Sequence, residues 1–169
     1  MLSDHKTDGY AKLSEQTFSR YARIVNPVLR TFAIEHTAMT VSFMTMIALR
    51  RNLDFESARI AALLHDAGKF DLNEGSARHA AAGALRAEAL LSESGCFSQS
   101  QIDSICEAIR LHSSKDQIDS PLAEALKDAD VLASWAVHPD DPLSQVRQKR
   151  LEKTCAELNI PLQTPSAKK

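Results

Sequence analysis

The chain has 169 residues, 44% of them hydrophobic and 25% charged, the composition of a globular protein with room for a real core. Its formal net charge of −2 advertises no polyanion partner. The stretch MLSDHKTDGY lacks the apolar centre of a signal peptide, and the longest uncharged run, Thr37 to Leu49, is thirteen residues, too short for a bilayer.

The cysteines, Cys96, Cys106 and Cys155, are odd in number and form no CxxC pair. Cys106 falls on an apolar helical stripe. Free thiols in a reducing compartment fit this pattern, so a cytoplasmic protein is expected.

Apolar residues recur at helical spacing in almost every segment, and none shows sustained strand alternation. The first helix is expected from Tyr10 to Thr31, bent at Pro27, and the second from Ala33 to Arg51. A third follows Asp54 as N-cap and ends near Ala67, with Gly68 just past it. The fourth runs from Ser76 to Ser94 and stops at Gly95. The fifth opens on SQSQ, where Ser98 and Gln101 have capping-box spacing. The sixth opens with Ser120 and Pro121 and reaches Val137. The seventh covers Pro142 to Leu158; its basic run Arg147, Lys149, Arg150 and Lys153 reads as a solvated face. The expectation is an all-α fold: one compact bundle of about seven helices over residues 1–160, followed by a flexible tail at 161–169.

The histidines are the unusual feature. His5 and His138 lie outside apolar stripes. His36 shares a helical face with Met39, Thr40, Phe43 and Ile47. His65 shares one with Ala58, Ala61 and Ala62. His112 continues the stripe Ile102, Ile105, Ile109. His79 sits above Ala82 and Gly83, small residues that permit close helix packing. Asp66 follows His65, and Asp130 lies on a face with Leu126 and Ala133.

Any one inward histidine is ordinarily a core residue. Together with two inward aspartates they ask for another explanation. Buried carboxylates cost several kcal/mol unless paired, and few basic residues share these stripes. A metal ion supplies positive charge and takes neutral imidazoles as ligands. His65 and Asp66 diverge by about 100° on a helix, but at a helix end both can reach one ion. A break at Gly68 would then turn the chain away and leave room for a ligand.

The ordered set His36, His65-Asp66 and Asp130 resembles the H…HD…D signature of the HD-domain superfamily of metal-dependent phosphohydrolases, over roughly Thr31 to Trp135. AALLHDAGK and LKDADVL are similar to its second and last motifs. HAAAGALRAEALL, beginning at His79, and IRLHSS, containing His112, resemble the extra histidine motifs of two-metal subgroups. Ser113 stands where some of those members carry a further histidine. No GYP motif follows the HD motif. The resemblance implies an all-helical fold with a five-helix core. It implies His36, His65, Asp66 and Asp130 on one ion, with Asp66 bridging to a second ion held by His79 and His112.

Two cations about 3.5–4 Å apart acidify a bound water, so that a hydroxide is available near neutral pH, and hold phosphoryl oxygens. In that scheme Asp66 bridges, Asp130 orients the water and Lys69 reaches a phosphate oxygen as a point charge. Arg78 and Arg110 read as surface arginines. Mixed His/Asp ligation suits Fe, Mn, Co, Ni or Zn better than Ca or Mg. No P-loop, Rossmann glycine pattern or base-stacking aromatic cluster is present. The expected partner is a small phosphate ester or nucleotide, with no nucleic acid polymer and no membrane indicated. The runner-up is a two-iron HD-type oxygenase, followed by a non-catalytic metal-binding signalling domain.

Overall fold

The computed structural model of the chain describes residues 9–72, 75 and 78–162. Among these residues every regular element is a helix: α1 (Gly9–Tyr21), α2 (Pro27–Arg51), α3 (Phe55–Leu64), α4 (Ala67–Phe70), α5 (His79–Ser94), α6 (Gln99–Leu111), α7 (Pro121–Val137) and α8 (Gln145–Leu158). The all-α expectation holds. The element beyond the expected seven is α4, a single turn. His5, Ser76 and residues 163–169 lie outside the described residues.

Several helix ends differ from expectation for local reasons. The chain does not bend at Pro27; it breaks before it. Proline biases the preceding residue away from the helical region, and Asn26 has φ −68° and ψ 115°. The Asn26 side chain accepts from the amides of Val28 (3.0 Å) and Leu29 (3.1 Å), so Asn26 is the N-cap and Pro27 the first residue of α2. Helix α8 starts at Gln145 rather than Pro142, because Ser144 caps it by accepting from the Arg147 amide. The capping box at Ser98 and Gln101 is present as expected.

Helix α3 organises the core. Ser57, Ala58 and every residue from Ile60 to Leu64 are buried, so its C-terminal half is apolar all round, and it packs against α1, α2, α6 and α7. Met44 and Ile47 of α2, Leu91 of α5, Ile105 and Ile109 of α6, and Leu126 of α7 complete the cluster. By length and composition α2 could cross a membrane; here it packs against α3 and α7. A second apolar cluster, Val131 and Leu132 with Leu151 and Cys155, seats α8 on α7.

The basic run on α8 is not wholly solvated. Arg150 donates to Asp128 (2.8 Å), Glu124 (3.0 Å) and the carbonyl oxygens of Lys115 (2.7 Å) and Gln117 (3.2 Å). It ties α8 to α7 and to the loop after α6. Lys127, fully buried, pairs with Asp119 and Glu124 beneath the same loop.

Gly68 is not a helix breaker. It lies inside α4, where a Cβ would stand 2.1 Å from the His79 carbonyl oxygen and 2.6 Å from the Gly83 amide nitrogen. A Cβ on Gly83 would in turn meet the Gly68 amide and the His65 carbonyl, each at 3.2 Å. The two glycines let α4 press against the first turn of α5. Asp71, just after α4, accepts from Arg20 of α1 at 2.8 Å and lies 3.7 Å from Arg86 of α5. Gly68→Ala should therefore force α4 and α5 apart at a cost of about 1–3 kcal/mol. Thermal denaturation should read this as a Tm lower by about 2–12 °C; an unchanged or raised Tm would mean that the contact yields freely.

Candidate metal centre

The burial of α3 explains why hydrophilic residues follow it into the interior. The helix ends at Leu64 within the core, so the next side chains stay inside. His65 occupies the C-cap, and its Nδ1–H donates to the Ala62 carbonyl at 2.8 Å. His112 occupies the C-cap of α6 and donates from Nδ1 to the Ile109 carbonyl at 2.7 Å. A carbonyl only accepts, so in both rings Nδ1 carries the proton and Nε2 keeps a lone pair. Asp66, at φ −101° and ψ 15°, turns the chain between α3 and α4.

The structure brings all six expected ligands together. Asp66 lies between two histidine pairs. Its Oδ2 is 3.8 Å from His36 Nε2 and 3.6 Å from His65 Nε2. Its Oδ1 is 3.5 Å from His79 Nε2 and 3.6 Å from His112 Nε2. Within the pairs the Nε2 atoms are 3.2 Å apart (His36 and His65) and 3.3 Å apart (His79 and His112). Donors about 2.1 Å from one ion lie about 3.0–3.4 Å from each other, close to these spacings. Two groups could thus each hold a divalent ion: His36, His65 and Asp66, and Asp66, His79 and His112. The donor types and the preset lone pairs of His65 and His112 fit such an ion.

Asp130 borders the first group, with Oδ1 at 3.1 Å from His36 Nε2 and 3.9 Å from His65 Nε2. Its other oxygen accepts from Lys115 Nζ at 2.5 Å. Lys115 was not expected here. It is buried, and its Nζ also donates to the His112 carbonyl at 2.5 Å, joining the two halves of the cluster. Burial alone would raise the Asp130 carboxyl, but Lys115, His36 and His65 hold it well below the usual range. Burial likewise opposes ionisation of Asp66, and His65, His112 and Lys69 overcome it, so its carboxyl is also lowered. Burial pushes the His65 imidazole down to about 4, against the pull of Asp66 and Asp130.

The cluster opens toward Lys69. This side chain is 41% exposed, and its Nζ is 3.6 Å from Asp66 Oδ2, so it faces the cluster rather than serving only a helix end. It also lies over the rings of Phe32 (5.0 Å) and Phe70 (4.9 Å). Phe32 stacks on His36 and, in parallel, on His138, which the sequence reading sets aside. Ser113 Oγ is 3.2 Å from His79 Nε2, within the second group. Arg78 and Arg110 are exposed, as expected. A cleft of about 570 Å³ at the other end of α3, lined by Asp54, Ser57 and Glu107 among others, shares no residue with the cluster.

The HD domain family pattern matches residues 33–135, a span that contains every residue of the cluster. The chain belongs to the HD domain family. Among solved structures, this HD domain is similar to a predicted HD superfamily hydrolase from an uncultured Thermotogales bacterium, at 25% identity and a TM-score of 0.63. The match covers 86% of this chain and 84% of the other. No curated protein matches the sequence. Helices α1 and α8 lie outside the family span; α8 nevertheless reaches the centre through Arg150 and Lys115.

Removing Lys115 should expose its role. In metal-free protein, Lys115→Met leaves Asp130 without its closest cation, a loss of about 3–5 kcal/mol for a buried pair. A divalent ion would replace that charge, so the Tm gain on adding Zn or Mn should exceed that of the wild type. Equal gains in thermal scans with and without chelator would contradict this account.

The His65 shift gives a pH dependence. Its folded value of about 4 lies below the ordinary 6.5, so between these values the unfolded chain binds the proton and the folded chain does not. Stability should fall as pH drops through this window, by about 3 kcal/mol at most. Urea midpoints of metal-free protein should show the fall, and His65→Gln should flatten it.

Proposed function

We propose that this HD domain protein is a metal-dependent phosphohydrolase acting on a small phosphate ester or nucleotide. The observation that carries the reading is the Asp66 carboxylate, which directs one oxygen to each histidine pair. In this reading His36, His65, Asp66 and Asp130 hold one divalent ion, and Asp66, His79 and His112 a second. Fe, Mn, Co, Ni and Zn suit the donors. Such ions, when bound, neutralise phosphoryl charge and acidify water.

The chain's own groups supply the rest. Lys69 offers a point charge to a phosphoryl oxygen from the open side of the cluster. Asp130 is ionised and can orient a water beside the first ion, while Lys115 holds one of its oxygens. Ser113 can hydrogen-bond to a phosphate oxygen beside His79. His36, His65, Asp66 and His112 are buried, and little contact with bulk water strengthens each of these charges.

Elemental analysis of protein purified without added metal should find about two ions per chain, and Asp66→Asn should lose ions from both groups because a neutral amide ligates poorly. Anaerobic protein loaded with Mn should release inorganic phosphate from at least one ester or nucleotide. Lys69→Ala should keep its metal and lose about 1.5–3 kcal/mol in kcat/KM, the worth of a hydrogen bond to a charged group. Strict dependence on iron and O₂, with a carbon-oxidised product and no phosphate release, would replace the hydrolase with the oxygenase.

A further inference from the structure

A cleft of about 370 Å³ lies between the start of α2 and the end of α7, lined by Val28, Thr31, Phe32, Glu35, Val137 and His138 among others. It adjoins the metal centre. Its wall residue Phe32 stacks on the ligand His36, with ring centroids 5.2 Å apart and planes within 8°. Lys69 spans the boundary: its Nζ is 3.6 Å from Asp66 Oδ2 and 5.0 Å from the Phe32 ring centroid. A phosphoryl group held at Lys69 therefore lies beside the Phe32 ring, and the remainder of the molecule has the cleft to enter.

The lining indicates what that remainder is. Among the described residues it contains no lysine or arginine, and its one carboxylate there, Glu35, would repel a second phosphate. Val28 is 78% exposed, and Val25, just before α2, is 90% exposed. Val28, presented to water in the wall of the cleft beside Phe32 and Val137, gives it a surface suited to an apolar ligand. His138, also in the lining, stacks on Phe32 at 5.5 Å.

We propose that this cleft is the leaving-group subsite, and that the substrate is a phosphomonoester of an uncharged, apolar alcohol, alkyl or aryl, rather than a polyphosphate. The inference rests on the hydrolase reading and narrows its substrate class. In the reaction, a water oxygen bonds to phosphorus, the ester P–O bond breaks, and the departing oxygen takes a proton. The products are inorganic phosphate and the free alcohol.

The test is a series of n-alkyl phosphates from methyl to octyl, with hexyl diphosphate as the charged comparison, on Mn-loaded protein. Each buried methylene should raise kcat/KM about fourfold until the cleft is full, and hexyl phosphate should outrun hexyl diphosphate. Val28→Glu, which suits a first helical turn, should lower the hexyl-to-methyl ratio. Independently of turnover, methyl NMR signals of Val28 and Val137 in Zn-loaded protein should shift with hexyl phosphate and not with glycerol phosphate. Phosphate release that is flat along the series, or a preference for the diphosphate, would overturn the subsite and leave the hydrolase reading standing. Release from no ester at all would overturn both, even if the methyl signals shift.

Discussion

The centre depends on one buried carboxylate facing two ways. Each oxygen of Asp66 addresses a different histidine pair, and the pairs come from different parts of the chain: His36 and His65 from α2 and α3, His79 and His112 from α5 and α6. A carboxylate removed from water is tolerable only among groups that favour its charge. That requirement fixes the surrounding fold. Helix α3 must end inside the core to deliver Asp66, and α4 must turn at once to let α5 approach. Gly68 and Gly83 make the approach possible, since a methyl group on Gly68 would overlap the backbone of α5. In this sense the two glycines belong to the centre although neither offers it a ligand.

The centre also carries its own cation. Lys115 binds the second oxygen of Asp130 and the backbone of the His112 turn. A lysine buried at this depth loses hydration and regains it only through such partners. It orients Asp130 so that the other oxygen faces His36. The lysine is itself restrained from behind, where Arg150 holds its carbonyl oxygen.

Much of this was legible in the sequence. The six clustered residues lie on helical stripes or at the ends of stripes, and a stripe that is otherwise apolar marks an inward position. The helix with the capping box at Ser98 and the helix opening on Ser120 and Pro121 fell where expected. What was missed has physical causes. Asn26 before Pro27 is both a cap and a residue barred from helical geometry, so the pair starts a helix, whereas a reading of period alone bends one. Gly68 resembles a terminator because a close backbone approach and a helix stop favour the same residue. Lys115 follows α6 in an irregular loop, where no periodicity shows which way a side chain points. The only cue was its place three residues after His112. Arg150 shares a helix with exposed lysines, and its carboxylate partners, Glu124 and Asp128, lie more than twenty residues away.

The position of Arg150 has a consequence for the order of assembly. Residues 33–135, with every group of the cluster, precede α8 in the chain, and synthesis exposes them first. The loop from Ser113 to Ser120 then lacks the guanidinium that later grips Lys115 and Gln117. Docking of α8 on Val131 and Leu132 adds that grip to a loop that Lys115 and Lys127 already hold from within. The centre is thus braced from outside the family span, by a helix that offers it no ligand.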